Sequence, residues 1–250
     1  MYTIELYEEE VQANMKIALA SQEFIDNNLE FNLNNLVSTM KEAKSKKTDL
    51  ICFGEAYLQG FDAFSWEFEN DKNIAISQNS LVMQQLQQYS REIEIDLFIG
   101  YLEIEDDILY SSYALIENGI ITYNYRRISK CWKEFTKTDS HYQEGKSPIL
   151  FNYRGKKCLA ALCGDLWDFP EEFKLNQDIL FWPVYVDFSI EDWEKSFIEE
   201  YKEQASKVGS DVYLINSICK PTGFGGCFHF KDNKIVKMLK PGNEGLLIVE

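Results

Sequence analysis

Apolar and polar positions alternate along this chain in runs that predict strands and helices in turn. Met15 to Ala20 alternates and then turns polar, as a first core strand would. From Asn32 to Lys47, Leu33, Leu36, Val37, Met40 and Ala43 recur at helical spacing, with lysines near the C-terminal end, where the helix dipole favours positive charge. Asp49-Leu50-Ile51-Cys52-Phe53 is a short apolar run of the kind that forms a strand buried on both faces. A second helix is predicted over Asn79 to Glu92, with Leu81, Val82, Leu86 and Tyr89 on one side. A third strand follows over Asp96 to Tyr101.

The order then changes. Leu109 to Ile116 and Ile120 to Tyr125 flank Asn118-Gly119, a strong β-hairpin signal. Cys158 to Cys163 and Asp178 to Val184 read as buried strands, with a short helix opened by Pro170 over Phe169 to Leu175 between them. Ile190 to Val208 is predicted helical, Asp211 to Ser217 a strand, and Cys227 to Phe230 with Ile235 to Leu239 a second hairpin around Asp232-Asn233. Helices between strands favour crossovers and hairpins make antiparallel pairs. The expectation is an α/β protein with mixed sheets covered by helices.

No Pro/Gly/Ser-rich linker, low-complexity tract or internal sequence repeat interrupts the 250 residues, so residues 1–250 are expected to form one domain. Residues 1–14 precede the first core strand and are expected to be an N-terminal extension, an added strand or an arm. The formal net charge of -16 argues against a surface that tracks nucleic-acid phosphates or anionic membranes. No apolar run approaches the ~20 residues that span a bilayer. Met1-Tyr2-Thr3-Ile4-Glu5 has neither a basic nor an apolar leader region, so a cytoplasmic location is expected. The 6 cysteines are scattered, without a C-x-x-C pair or ligand-like spacing to His141 and His229. That dispersion speaks against a disulfide framework and against a zinc site. The two histidines read as structural or surface residues.

Three features fall at the ends of predicted core strands, where open α/β sheets place ligands. Glu55 follows an apolar strand in Phe53-Gly54-Glu55. A basic stretch, Tyr125-Arg126-Arg127-Ile128-Ser129-Lys130-Cys131-Trp132-Lys133-Glu134, follows the Asn-Gly hairpin. Cys163 ends a buried strand and precedes Gly164 and Asp165. Taken singly, each has a bland reading: a loop carboxylate, a solvated charge run, an inert buried thiol. Together they make a chemical set. A thiol attacks an acyl carbon as thiolate, so it needs a base, and a fixed cation stabilises the oxyanion that follows.

In this order the three segments resemble the nitrilase, or carbon–nitrogen hydrolase, superfamily, over about Lys16 to Glu250. Phe53-Gly54-Glu55-Ala56-Tyr57 is similar to the family's general-base segment, with Gly54 where the family usually has proline. Tyr125-Arg126-Arg127 is similar to its Tyr-Arg-Lys segment. Leu162-Cys163-Gly164-Asp165-Leu166-Trp167 with Phe169-Pro170-Glu171 is similar to its nucleophile segment, and Asp165-Leu166-Trp167 is similar to glutaminase-type members. The resemblance implies a four-layer α-β-β-α sandwich, no cofactor, and a homodimer or higher homo-oligomer. It implies hydrolysis of a small-molecule amide or ureido compound, less readily a nitrile, through a cysteine thioester. Cys163 would be the nucleophile, Glu55 the general base, Gly164 an oxyanion donor and Trp167 a substrate-pocket residue. The family's lysine is matched by Arg127, so the cation is open between Arg127 on alignment and Lys130 on chemistry, with Lys133 third. Glu134, or alternatively Glu144, would be the auxiliary carboxylate that orients it. The arginine also keeps a second reading open, a non-catalytic protein on the same scaffold that binds a small ligand or a partner.

Overall fold

The computed structural model describes residues 15–250 except 210. The expected extension, residues 1–14, lies outside the described residues. Twelve strands are assigned among these residues: β1 Ile17–Ser21, β2 Leu50–Cys52, β3 Asp96–Glu105, β4 Ile108–Glu117, β5 Ile120–Arg126, β6 Phe151–Tyr153, β7 Lys156–Ala160, β8 Ile179–Val184, β9 Asp211–Cys219, β10 Gly223–Lys231, β11 Lys234–Leu239 and β12 Gly245–Val249. They form two 6-stranded sheets, β12-β1-β2-β3-β4-β5 and β6-β7-β8-β9-β10-β11.

Both sheets follow one pairing pattern. An antiparallel edge strand (β12, β6) is followed by two parallel pairs (β1-β2-β3, β7-β8-β9), and two antiparallel pairs complete each sheet. The parallel centres follow from helical crossovers, which cover a sheet face as they return the chain. The helix Leu29–Ser45 starts on Asn28, whose side chain accepts from the Phe31 N–H; the helix Leu81–Ile93 starts on Ser80, which accepts from Met83. Leu36, Met40, Met83 and Leu86 of these helices pack against Ala18, Ile51, Leu97 and Ile99, on the outer face of the first sheet. Tyr201 and Ala205, in the helical stretch that ends with Ile198–Ser206, join a core with Trp182 and Leu180 of β8. The inner faces meet, with Leu19, Cys52 and Phe98 in one cluster with Phe181, Ile215 and Cys227. The architecture is the four-layer α-β-β-α sandwich with mixed sheets. No helix among the described residues is long and apolar enough to cross a membrane.

The Asn118-Gly119 hairpin forms as expected, with positive φ at both residues (50° and 74°). The strand expected over Cys158–Cys163 stops at Ala160. Past Ala160 the chain stays bonded to β8, the Ala161 N–H to the Phe181 carbonyl and the Cys163 N–H to the Pro183 carbonyl (both 2.9 Å), and it turns away at Cys163, where φ becomes positive. The helix expected over Ile190–Val208 forms in three pieces, with a π-helical turn at Trp193–Phe197 in its middle.

Candidate active site

The C-terminal ends of β2, β5 and β7 converge. After β2 the Phe53 N–H still bonds the Phe98 carbonyl (3.0 Å), and the Gly54 N–H donates to Ser217 Oγ (3.2 Å) on the opposite sheet. A Cβ at Gly54 would lie 2.5 Å from that hydroxyl. Glycine in the place of the family's proline therefore lets the two sheets approach and keeps a donor that proline lacks. This approach fixes Glu55, which is fully buried. Its Oε1 accepts from Ser111 Oγ on β4 and from Arg127 Nη1, both at 2.9 Å. Its Oε2 is buried with no hydrogen-bond partner among the described residues.

Arg127 lies one residue past β5 and is 2% exposed. Its N–H donates to the Ser111 carbonyl (2.9 Å) and its Nε to Ser129 Oγ (2.7 Å). Burial works against its charge, but Glu55, Cys163 and Asp165 outweigh it and hold the guanidinium above its ordinary range. Lys130 is exposed. Lys133 pairs with Glu144 (2.7 Å) and donates to the Tyr142 carbonyl. Of the three cations left open by sequence, the structure brings Arg127 to Glu55. Glu134 is a correction: it is exposed and joins no ion pair among the described residues, because the chain has already turned outward there. Glu144 orients Lys133 rather than Arg127.

Cys163 sits in the turn after β7 with φ 38°, a left-handed conformation that is costly for a residue with a Cβ. Two bonds hold it there, its N–H to the Pro183 carbonyl (2.9 Å) and Trp182 Nε1 to its carbonyl (2.8 Å). Cys163 as a residue is half-buried, and its Sγ lies 3.8 Å from the Tyr185 carbonyl. Burial first, then the Glu55 charge, push the thiol up to about 12, with Arg127 pulling the other way. At neutral pH it is a thiol that needs a base. A Cβ on Gly164 would come within 2.6 Å of Arg127 Nη2, so glycine lets the guanidinium reach the Cys163 turn.

Three residues of this cluster escaped the sequence reading: Ser111, Ser129 and Asp165. Asp165 is fully buried and accepts four hydrogen bonds. These come from Ile128 N (3.1 Å) and Ser129 N (2.7 Å) on the basic segment, and from Tyr125 Oη (2.7 Å) and Leu162 N (2.8 Å). It ties the arginine segment to the Cys163 turn. Asp165→Asn turns one acceptor oxygen into an amine facing donors, so we expect a loss of about 2–3 kcal/mol of stability. A urea midpoint equal to wild type would show that Asp165 is not this tie. Trp167 is 39% exposed and edge-on to Tyr201 at 5.1 Å. Trp193 is fully buried against Tyr201 and Phe228, a core position. His141 bonds Asp139 and His229 bonds Asp211, both away from this cluster.

Residues 11–175 match the family described as carbon-nitrogen hydrolase. The chain belongs to the carbon-nitrogen hydrolase family. It is 24% identical over 155 residues to a glutamine-dependent NAD(+) synthetase of Acinetobacter baylyi, a match covering 62% of this chain and 28% of the synthetase. It is 27% identical over 130 residues to an arylacetonitrilase of Hypocrea virens, covering 49% of this chain and 40% of that one. The chain thus spans well under half the length of both curated relatives. In three dimensions it resembles an amidase from Nesterenkonia sp., with TM-score 0.76 at 17% identity over 94% of this chain and 89% of that chain. That likeness places the carbon-nitrogen hydrolase fold over nearly all of the chain.

Proposed function

We propose that this carbon-nitrogen hydrolase cleaves a non-peptide C–N bond of a small molecule, an amide or ureido amide ahead of a nitrile, through a thioester on Cys163. The observation that carries the reading is the buried Glu55, with one oxygen bonded to Ser111 and Arg127 and the other unpartnered. Glu55 Oε2 takes the thiol proton as Sγ attacks the carbonyl carbon. The oxyanion forms against Arg127 and the Gly164 N–H, and the carboxyl returns its proton to the departing nitrogen. Water then attacks the thioester; Glu55 takes a proton from it and gives it back to Sγ as the carboxylic acid leaves. Arg127 stays charged throughout and contributes charge and hydrogen bonds, not a proton.

The second reading, a binding protein without turnover, rests on the arginine in the place of the family's lysine. Rapid quench with a panel of small amides, followed by mass spectrometry of the Cys163 peptide, separates the two. We expect an acyl adduct on Cys163 together with ammonia release. Neither adduct nor ammonia across the panel would favour the binding reading.

A further inference from the structure

Arg127 carries more donors than its described bonds use. Its Nε donates to Ser129 Oγ (2.7 Å) and its Nη1 to Glu55 Oε1 (2.9 Å), while among the described hydrogen bonds Nη2 makes none. Nη2 lies against the Cys163 turn: a Cβ on Gly164 would come within 2.6 Å of it and within 3.0 Å of Ser129 Oγ. Both anchors of the guanidinium are themselves fixed. Glu55 Oε1 also accepts from Ser111 Oγ on β4 (2.9 Å). Ser129 is fully buried, and its N–H donates to Asp165 Oδ1 (2.7 Å). The Arg127 backbone is held independently, its N–H by the Ser111 carbonyl (2.9 Å) and its carbonyl by the Gly145 N–H (2.8 Å). A guanidinium is planar, and its five N–H groups leave it in fixed directions. A single bond at Nη1 would let the plane pivot. Bonds at both Nε and Nη1 fix the plane, and the direction of Nη2 with it. An ammonium has no such plane, so the Ser129 hydroxyl has this effect only because an arginine stands at position 127.

We infer that Ser129 is a positioning residue of this site: its hydroxyl turns the Arg127 guanidinium so that Nη1 serves Glu55 and Nη2 is left to donate to the carbonyl oxygen of a compound held at Cys163. This role rests on the reading of Cys163 as the reactive group. As sulfur bonds the carbonyl carbon, the oxygen gains negative charge, and a donor already in place stabilises it more than one that must first reorient. Gly164, against which Nη2 lies, supplies the second donor in that reading. Ser129 acts through the arginine and does not touch the reacting atoms.

Small aldehydes test this without requiring turnover. The thiol adds across the C=O bond: sulfur bonds the carbon, the oxygen takes the thiol proton, and nothing is released. The oxygen of this reversible adduct sits where that of a tetrahedral intermediate would. Protection of Cys163 from iodoacetamide at pH 8 by acetaldehyde, propionaldehyde and benzaldehyde, read by mass spectrometry of the Cys163 peptide, measures the adduct. Ser129→Ala and Ser129→Gly each remove the hydroxyl and keep the backbone N–H that Asp165 holds. We expect each to weaken protection about tenfold, and to lower kcat on a hydrolysed amide about tenfold with KM near wild type. In an Arg127→Lys background, where no Nε exists, neither should weaken protection further. Protection equal to wild type in both Ser129 variants, the same tenfold loss in the Arg127→Lys background, a loss in KM rather than kcat, or a wild-type Cys163 that none of the three aldehydes protects would each overturn the inference. Loss of protection that depends on Arg127, in a protein that hydrolyses no amide, would leave the positioning role standing and remove the hydrolase reading. Amide hydrolysis indifferent to Ser129 would do the reverse.

Discussion

Cys163→Ala is expected to bring amide hydrolysis down to background, a loss on the order of 10⁵-fold or more, with the fold intact. The backbone bonds that hold this turn, to Pro183 and from Trp182, do not involve the side chain. Alanine has a Cβ as cysteine does, so it meets the same cost at φ 38° and adds none. The change removes a single sulfur from a residue that is half-buried as a whole, so the cavity left behind is small and the urea midpoint should stay close to wild type. Ammonia release above a hundredth of the wild-type rate would exclude Cys163 as nucleophile. The pH behaviour of the thiol belongs to the same argument. With its pKa pushed up to about 12, the resting site holds little thiolate at neutral pH. Iodoacetamide should therefore alkylate Cys163 more slowly at pH 7 than it alkylates a free cysteine, and the rate should climb about tenfold per pH unit between pH 8 and 10. Slow resting alkylation is thus compatible with an enzyme that ionises its thiol only as substrate arrives. Turnover, rather than thiol reactivity, distinguishes a hydrolase from a binding protein here.

Glu55 and Cys163 could be picked out of the sequence as candidates because both follow apolar runs, and a buried strand must end where the chain meets polar, glycine-containing sequence. The helices Leu29–Ser45 and Leu81–Ile93 and the Asn118-Gly119 hairpin were readable from spacing. β6 and β12 were not. Phe151–Tyr153 is three residues long, and Gly245–Val249 has no turn pair or helix to frame it; each exists because a neighbouring strand offers it an edge. Ser111 had a signal that went unused, a hydroxyl among the apolar inward positions Leu109, Tyr113 and Leu115 of β4. Asp165 had only its place beside Cys163 and Gly164, because its four donors come from segments 3 to 40 residues away in sequence. The cation shows which argument deserved more weight. Strand parity put Arg127 on the side of Tyr125 and Ser129 with Lys130 opposite, and those three are buried while Lys130 is exposed. Chemical preference for a lysine pointed outward, toward solvent.

Arg127 and Glu55 form a buried pair in which removing one partner should cost more than removing both. Arg127→Leu leaves the Glu55 carboxylate fully buried with Ser111 as its remaining hydrogen-bond donor. We expect a loss of roughly 3–5 kcal/mol in stability, the usual cost of stranding a buried charge. Turnover should fall about 10³-fold as the oxyanion loses its cation. Arg127→Lys keeps the charge near Glu55 but gives up the Nε bond to Ser129, since an ammonium cannot span both partners as the planar guanidinium does. It should cost about 1 kcal/mol and keep turnover within about tenfold of wild type. The double variant Glu55→Gln with Arg127→Leu should recover part of the stability lost in Arg127→Leu, because the stranded charge is gone, while remaining inactive without its base. Urea midpoints and turnover numbers across this set separate the two roles of the arginine. Full activity in Arg127→Leu, with turnover lost instead in Lys130→Ala, would move the catalytic cation to Lys130 and require the basic segment to rearrange when substrate binds. The opposite pattern would mean that the charge beside Glu55 can come from arginine as well as lysine, since the oxyanion needs a positive field and donors rather than a proton.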